Sequence, residues 1–195
     1  MNASAAEPTW LAPRLRARLT ERTWVPVAEP GELRAAAVLI PLVVRDGRVH
    51  VVFTERAAGL RDHSGQVSFP GGKRDPEDRS ATVTALREAE EELGLPPASV
   101  EILGRLDELV TITHFRVTPV VGLVAAPPAT WRPSPEVAEV FEVELTHLAD
   151  PTVFALVAMR GHEVHTYRPG PRYIWGVTGR MVSSFLEVCR TLSDG

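Results

Sequence analysis

Cysteine is nearly absent from this chain. Cys189 stands alone among 195 residues, so no internal disulfide can form, and the usage fits a reducing compartment. A membrane-spanning run is missing too. The strongest apolar stretch, Ala35–Val44, is short and contains Pro41, whereas a spanning helix needs about 20 apolar residues. The N-terminus lacks the basic-then-apolar order of a secretory signal. Nor is there an excess of charge of one sign: 21 basic residues face 25 acids, a formal net charge of −4, which offers no electrostatic basis for wholesale nucleic-acid binding. Internal repeats, low-complexity blocks and long linkers are also lacking. The expectation is one globular domain in the cytoplasm, engaging neither nucleic acid nor membrane.

What is present reads as alternating elements. "PRLRARLTER" (Pro13–Arg22) predicts a short amphipathic helix within an N-terminal extension of residues 1–30, with the main domain over 31–195. Ala35–Val44 is rich in β-branched residues and reads as a buried strand. Asp46-Gly47 is a two-residue hairpin turn, and Val49–Arg56 is the returning strand. A glycine-punctuated loop over 57–72 holds a short strand in "QVSF". Asp75-Pro76 followed by Glu77 and Asp78 predicts a helix start, with Ser80 as a later cap; Gly94 and Pro96-Pro97 end it. Further strands fall at Val100–Leu106, Arg116–Val124, Val137–Val143 and Glu163–Tyr167, and a C-terminal helix at Val177–Leu192. The fold class is α/β or α+β, a sandwich with helices on both faces of a mixed β-sheet.

The helix that ends at Gly94 carries "LREAEEELGL" (Leu86–Leu95), which crowds acids where a helix already has partial negative charge. At about 100° per residue, with the apolar face centred on Leu86, Ala89 and Leu93 join that face. Glu88, Glu91 and Glu92 converge on the far side, and Glu90 points elsewhere. Glu88–Glu91 and Glu88–Glu92 are like-charge pairs that cost about 0.2–0.5 kcal/mol each. A solvated acidic face is the ordinary fate of such a run. The local cost and the preceding glycine loop instead favour a bound divalent cation, and hard oxygen ligands suit Mg²⁺ or Mn²⁺. Arg87, about 40° from Glu91, is placed to hold a glutamate.

"GGKRDPEDRSATVTALREAEEELGL" (Gly71–Leu95) resembles the Nudix box, G-x5-E-x7-R-E-U-x-E-E-x-G-U with U aliphatic. The second half fits in full through Arg87, Glu88, Ala89, Glu91, Glu92, Gly94 and Leu95. In the first half the acid is Asp78 in place of glutamate, and eight residues in place of seven separate it from Arg87. Upstream, Thr54, Arg56, Ala57, Arg61, Gly65 and Phe69–Gly72 are similar to the element that accompanies the box in the coenzyme A pyrophosphatases of the Nudix superfamily.

The resemblance implies a Nudix hydrolase domain over 31–195, with the α/β/α sandwich of that superfamily, that hydrolyses the diphosphate of coenzyme A to 4′-phosphopantetheine and 3′,5′-ADP. Glu88 and Glu92 would be metal ligands, and Glu91 a third ligand or an aid to deprotonating water. Arg87 would contact substrate or hold a glutamate. Arg56 and Arg61 would bind phosphate through guanidinium forks, although surface ion pairing is the commoner fate of arginine. Gly71 and Gly72 would admit backbone close to metal or diphosphate, and Gly65 and Phe69 complete the substrate element, Phe69 being equally a core residue. The general base is open among His63, Glu108, His114, Glu136 and Glu139. Also open are a Nudix enzyme for ADP-ribose or dinucleoside polyphosphates, a non-catalytic nucleotide-binding module, and a homodimeric state.

Overall fold

A computed structural model describes residues 11–21, 33–58 and 65–190. The chain opens with α1 (Leu11–Glu21). The hairpin β1 (Arg34–Arg45) and β2 (Arg48–Arg56) follows, then the short strands β3 (Val67–Ser68) and β4 (Gly71–Lys73) and the acidic helix α2 (Ala81–Leu93). Next come β5 (Val100–Arg105), β6 (Leu109–Val110), β7 (Phe115–Val124), β8 (Val137–Glu144) and the single turn α3 (Leu145–Leu148). A small hairpin of β9 (Phe154–Met159) and β10 (His162–Tyr167), then β11 (Ile174–Trp175) and α4 (Gly176–Arg190), completes the described chain. Asp46 and Gly47 form the expected two-residue turn, with φ of 49° and 74°.

Eight strands make one mixed sheet in which β1 and β7 run parallel and the other pairings are antiparallel. β9, β10 and β11 form a separate three-stranded sheet. Side chains alternate along β1 as the strand period requires. Ala37, Leu39 and Val43 meet Ala85, Ala89 and Leu93 of α2 on one face. Ile40 and Leu42 face Leu11, Leu15 and Leu19 of α1 and Met181, Val182, Phe185 and Leu186 of α4 on the other. Helices therefore cover both faces of a mixed sheet, as the sequence pattern predicts. Among the described residues no helix is long and apolar enough to cross a membrane.

One irregularity positions the site. β1 pairs with β2 only over Leu42–Arg45 and with β4 over Ala36–Val38. β2 in turn pairs with β3 at Thr54 and Glu55. The segment from Gln66 to Arg74 is thus a wedge between two strands that would otherwise zip together. Arg56 N–H donates to the Gln66 carbonyl at 3.0 Å, and Leu39 N–H donates to the Pro70 carbonyl at 2.9 Å. Pro41 lies two residues beyond Leu39, so its nitrogen faces the same edge, where pairing passes from β4 to β2. A central strand tolerates proline here because the ladder has no partner for an amide at that point.

Helix α2 corrects one expectation. It starts at Ala81, not at Asp75-Pro76, with Ser80 as the cap whose Oγ accepts from Val83 N–H at 3.3 Å. Residues 75–78 form a turn instead, closed by Asp78 N–H donating to the Asp75 carbonyl at 3.0 Å.

Candidate active site

The orientation of α2 decides which acids meet the wedge. Ala85, Ala89 and Leu93 are buried, while Leu86 is only partly so. The apolar face is therefore turned about 60° from one centred on Leu86. Alanine contributes little bulk, so the helix lies close on β1. Glu88 and Glu92, one turn apart, border this stripe and meet the wedge, whereas Glu91 and Arg87 lie on the outer side. The three glutamates do not converge equally: Glu91 has a side chain 59% exposed, against 16% for Glu88. Gly94, with φ of 64°, terminates the helix, and its N–H donates to the Glu90 carbonyl at 2.9 Å.

Gly71 and Gly72 face the two bordering glutamates. Gly71 N–H donates to Glu92 Oε2 at 3.3 Å. A β-carbon at Gly72 would lie 2.6 Å from Glu88 Oε2, so glycine lets that carboxylate rest against the wedge where a side chain would displace it. Burial pushes the Glu88 carboxyl above the usual range, against the pull of Arg87. Burial likewise raises Glu92 to about 7; the Gly71 amide opposes this, and the charge of Glu88 reinforces it. Two partly desolvated carboxylates sharing one flank attract a cation.

Arg87 binds acids and the far end of the wedge. Its Nη2 donates to Asp78 Oδ2 and to the Lys73 carbonyl, both at 3.0 Å, and Nε donates to Asp78 Oδ1 at 3.4 Å. Nη1 lies 3.0 Å from Glu88 Oε1 and 3.2 Å from Glu91 Oε2. Asp78 is 5% exposed and also accepts from Asp75 N–H at 3.0 Å. The hydrogen bond from Arg87 holds its carboxyl at about 2. Asp78 thus grips Arg87, which in turn steadies Glu88. Asp78 was expected in the first turn of the helix and not in the site; it lies ahead of the helix, and its spacing from Gly72 was the available signal.

Arg56 is the last residue of β2. Its Nη2 lies 3.8 Å from Glu136 Oε2, and its positive charge lowers the Glu92 carboxyl while the negative charge of Glu136 raises it. Arg56 Nε is buried and has no hydrogen-bond partner among the described residues. A buried guanidinium N–H left without a partner is costly unless an anion takes it up.

The remaining site residues of the sequence reading are dispersed. Arg61 and His63 lie outside the described residues. Gly65 turns the chain back, its N–H donating to the Arg56 carbonyl at 3.1 Å. Phe69 is 2% exposed and stacks on Phe53 at 4.8 Å, so it anchors the wedge in the core. Glu108 is buried and accepts from Thr118 Oγ1 at 3.1 Å. Glu139 is paired with Arg172, which also holds Glu55 at 2.6 Å. His114 is exposed on a turn, with φ of 59°.

Among the described residues, no three acidic, imidazole or thiol groups are gathered as a ready metal cage. The donor set still fits Mg²⁺ or Mn²⁺. Such ions are usually held by one or two carboxylates together with water and substrate phosphate, which is what Glu88 and Glu92 offer under a glycine cradle.

Residues 32–160 match the family described as the NUDIX domain. The chain is 41% identical over 160 residues to the uncharacterized Nudix hydrolase NudL of Citrobacter koseri, covering 76% of this chain and 79% of that protein. It is 40% identical over 158 residues to the protein of the same name from Pectobacterium atrosepticum, with coverage of 76% and 79%. The crystal structure of RenU, a Nudix hydrolase from M. smegmatis, superposes with a TM-score of 0.51 at 26% identity, over 60% of this chain and 74% of that one. The chain belongs to the Nudix hydrolases, as a pyrophosphohydrolase.

Proposed function

We propose that this Nudix hydrolase splits the diphosphate of coenzyme A into 4′-phosphopantetheine and 3′,5′-ADP. The observation that carries the reading is the buried Arg56 Nε, without a hydrogen-bond partner among the described residues, whose charge acts on Glu92 where that glutamate meets the Gly71–Gly72 wedge. A diphosphate satisfies both halves: its oxygens accept from Arg56, and its charge shares a divalent cation with the glutamates. The sequence element running from Thr54 through Arg56 and Gly65 to Gly72, similar to that of the coenzyme A pyrophosphatases, supports coenzyme A over other diphosphates.

Glu88 and Glu92 would hold Mg²⁺ or Mn²⁺, which neutralises phosphate charge and activates water. Gly72 keeps the wedge backbone close to Glu88. Asp78 and Arg87 fix the Glu88 side chain, so the carboxylate is positioned before substrate arrives. Arg56 orients the diphosphate through a fork that lysine cannot reproduce.

Incubation with coenzyme A or ADP-ribose, with Mg²⁺ or Mn²⁺, followed by product analysis, tests the reading. Release of 3′,5′-ADP is expected. Faster turnover of ADP-ribose than of coenzyme A would overturn the substrate assignment.

A further inference from the structure

The hydrolysis needs a group that accepts a proton from the attacking water, and the carboxylates of α2 are poorly placed for it. Glu88 and Glu92 face the wedge as cation ligands, and Glu91 is held by Arg87 on the outer side of the helix. Elsewhere, Glu55 and Glu139 are bound to Arg172, and Glu108 is buried against Thr118. Glu136 differs from all of these. Its side chain is 64% exposed, and its described ion pair is the long 3.8 Å approach to Arg56.

The backbone around Glu136 is fixed although its carboxylate is loosely held. Ser134 N–H donates to the Glu92 carbonyl at 2.9 Å, tying the segment that precedes β8 to the last turn of α2. Val137 N–H donates to the Ser134 carbonyl at 3.0 Å. Ala57 N–H donates to the Glu136 carbonyl at 2.9 Å, tying the same segment to the end of β2. Glu136 is thereby suspended between the arginine and the glutamate that flank the substrate position. A carboxylate there is open to water and can swing, while its Cα cannot.

The geometry points to Glu136 as the general base of the reaction, an assignment that rests on the proposed diphosphate hydrolysis. As water attacks phosphorus, one of its O–H bonds breaks and the proton passes to the Glu136 carboxylate. The new O–P bond forms, the bridging P–O bond breaks, and its electron pair leaves on the second phosphate. Arg56 stays with the phosphate oxygens and gives up its loose contact with Glu136, so substrate binding itself frees the base.

The test compares full-length wild type with Glu136→Gln and Glu136→Ala on coenzyme A and on ADP-ribose, from pH 5.5 to 9.5, with Mn²⁺ binding measured in parallel. Proton acceptance by a positioned carboxylate contributes about 10²–10⁴-fold, so kcat should fall by that factor in both variants. Mn²⁺ affinity, and KM at saturating Mn²⁺, should stay within about threefold at every pH. Retention of kcat within about fivefold in Glu136→Gln overturns the assignment. So does a loss confined to KM, which makes Glu136 only a positioning residue for Arg56. Wild-type turnover of ADP-ribose without coenzyme A removes the substrate reading alone, and the base is then judged on ADP-ribose.

Discussion

Asp78 and Arg87 lie nine residues apart in sequence and share two hydrogen bonds, of 3.0 and 3.4 Å. The acid is buried on a turn and the arginine is three-quarters covered on a helix, so each fixes the other before any ligand binds. Asp78→Ala should destabilise the fold by about 1–3 kcal/mol in urea denaturation, because a largely buried cation loses its main partner. The Asp78 carboxyl titrates below its unfolded value, so its stabilisation is present above about pH 4 and is lost as pH falls through about 2. The variant should lack that acid-limb decline.

Glu92 has the opposite sign. Its folded carboxyl, raised to about 7 from 4.5, binds more protons than the unfolded one between those values. Metal-free stability should therefore decline as pH rises from about 4.5 to 7 and level off above. Glu92→Gln should remove the decline and stabilise the metal-free protein at pH 8 by on the order of 2 kcal/mol, while lowering kcat by at least about 10²-fold. Chemical denaturation in EDTA at pH 5 and pH 8, with turnover assays, checks both parts.

Gly72→Ala puts a methyl group into the Glu88 carboxylate. The Glu88 carboxylate must swing away from the wedge and from its contact with Arg87. Mn²⁺ affinity and kcat should both fall by at least about tenfold, measured by calorimetry and turnover. Wild-type metal affinity in this variant would show that the close contact is incidental.

Arg56→Lys keeps the charge but removes the buried Nε donor. KM should rise about 10–100-fold, nearly as much as in Arg56→Ala, since a point charge does not replace a planar fork. Steady-state kinetics of the two variants side by side would reveal whether charge alone suffices.

Local chemistry was legible in the sequence; long-range chemistry was not. Asp46-Gly47 announced its hairpin because the turn geometry is written in two residues. The helix start was misplaced because Asp75-Pro76 and Ser80 are both good caps, and the tie is broken by Asp78 folding back on Asp75 and out to Arg87. The acidic face was rotated because the count was centred on Leu86 and left out Ala85, a small residue that is fully buried. β4 and β11 are too short to show a period, and β9 reads "FALVAM", apolar throughout without alternation, although Leu156 is half exposed. The Ser134 contact with Glu92 joins residues 42 apart, and no local pattern encodes it.

Pro41 has one more consequence. If β2 slid further along β1 to expel the inserted segment, the next rung would call on a main-chain donor at position 41, and an imino acid has none to give. The gap between these strands is therefore bordered by a position without a hydrogen to give, so the register that would seal it lacks one of its rungs.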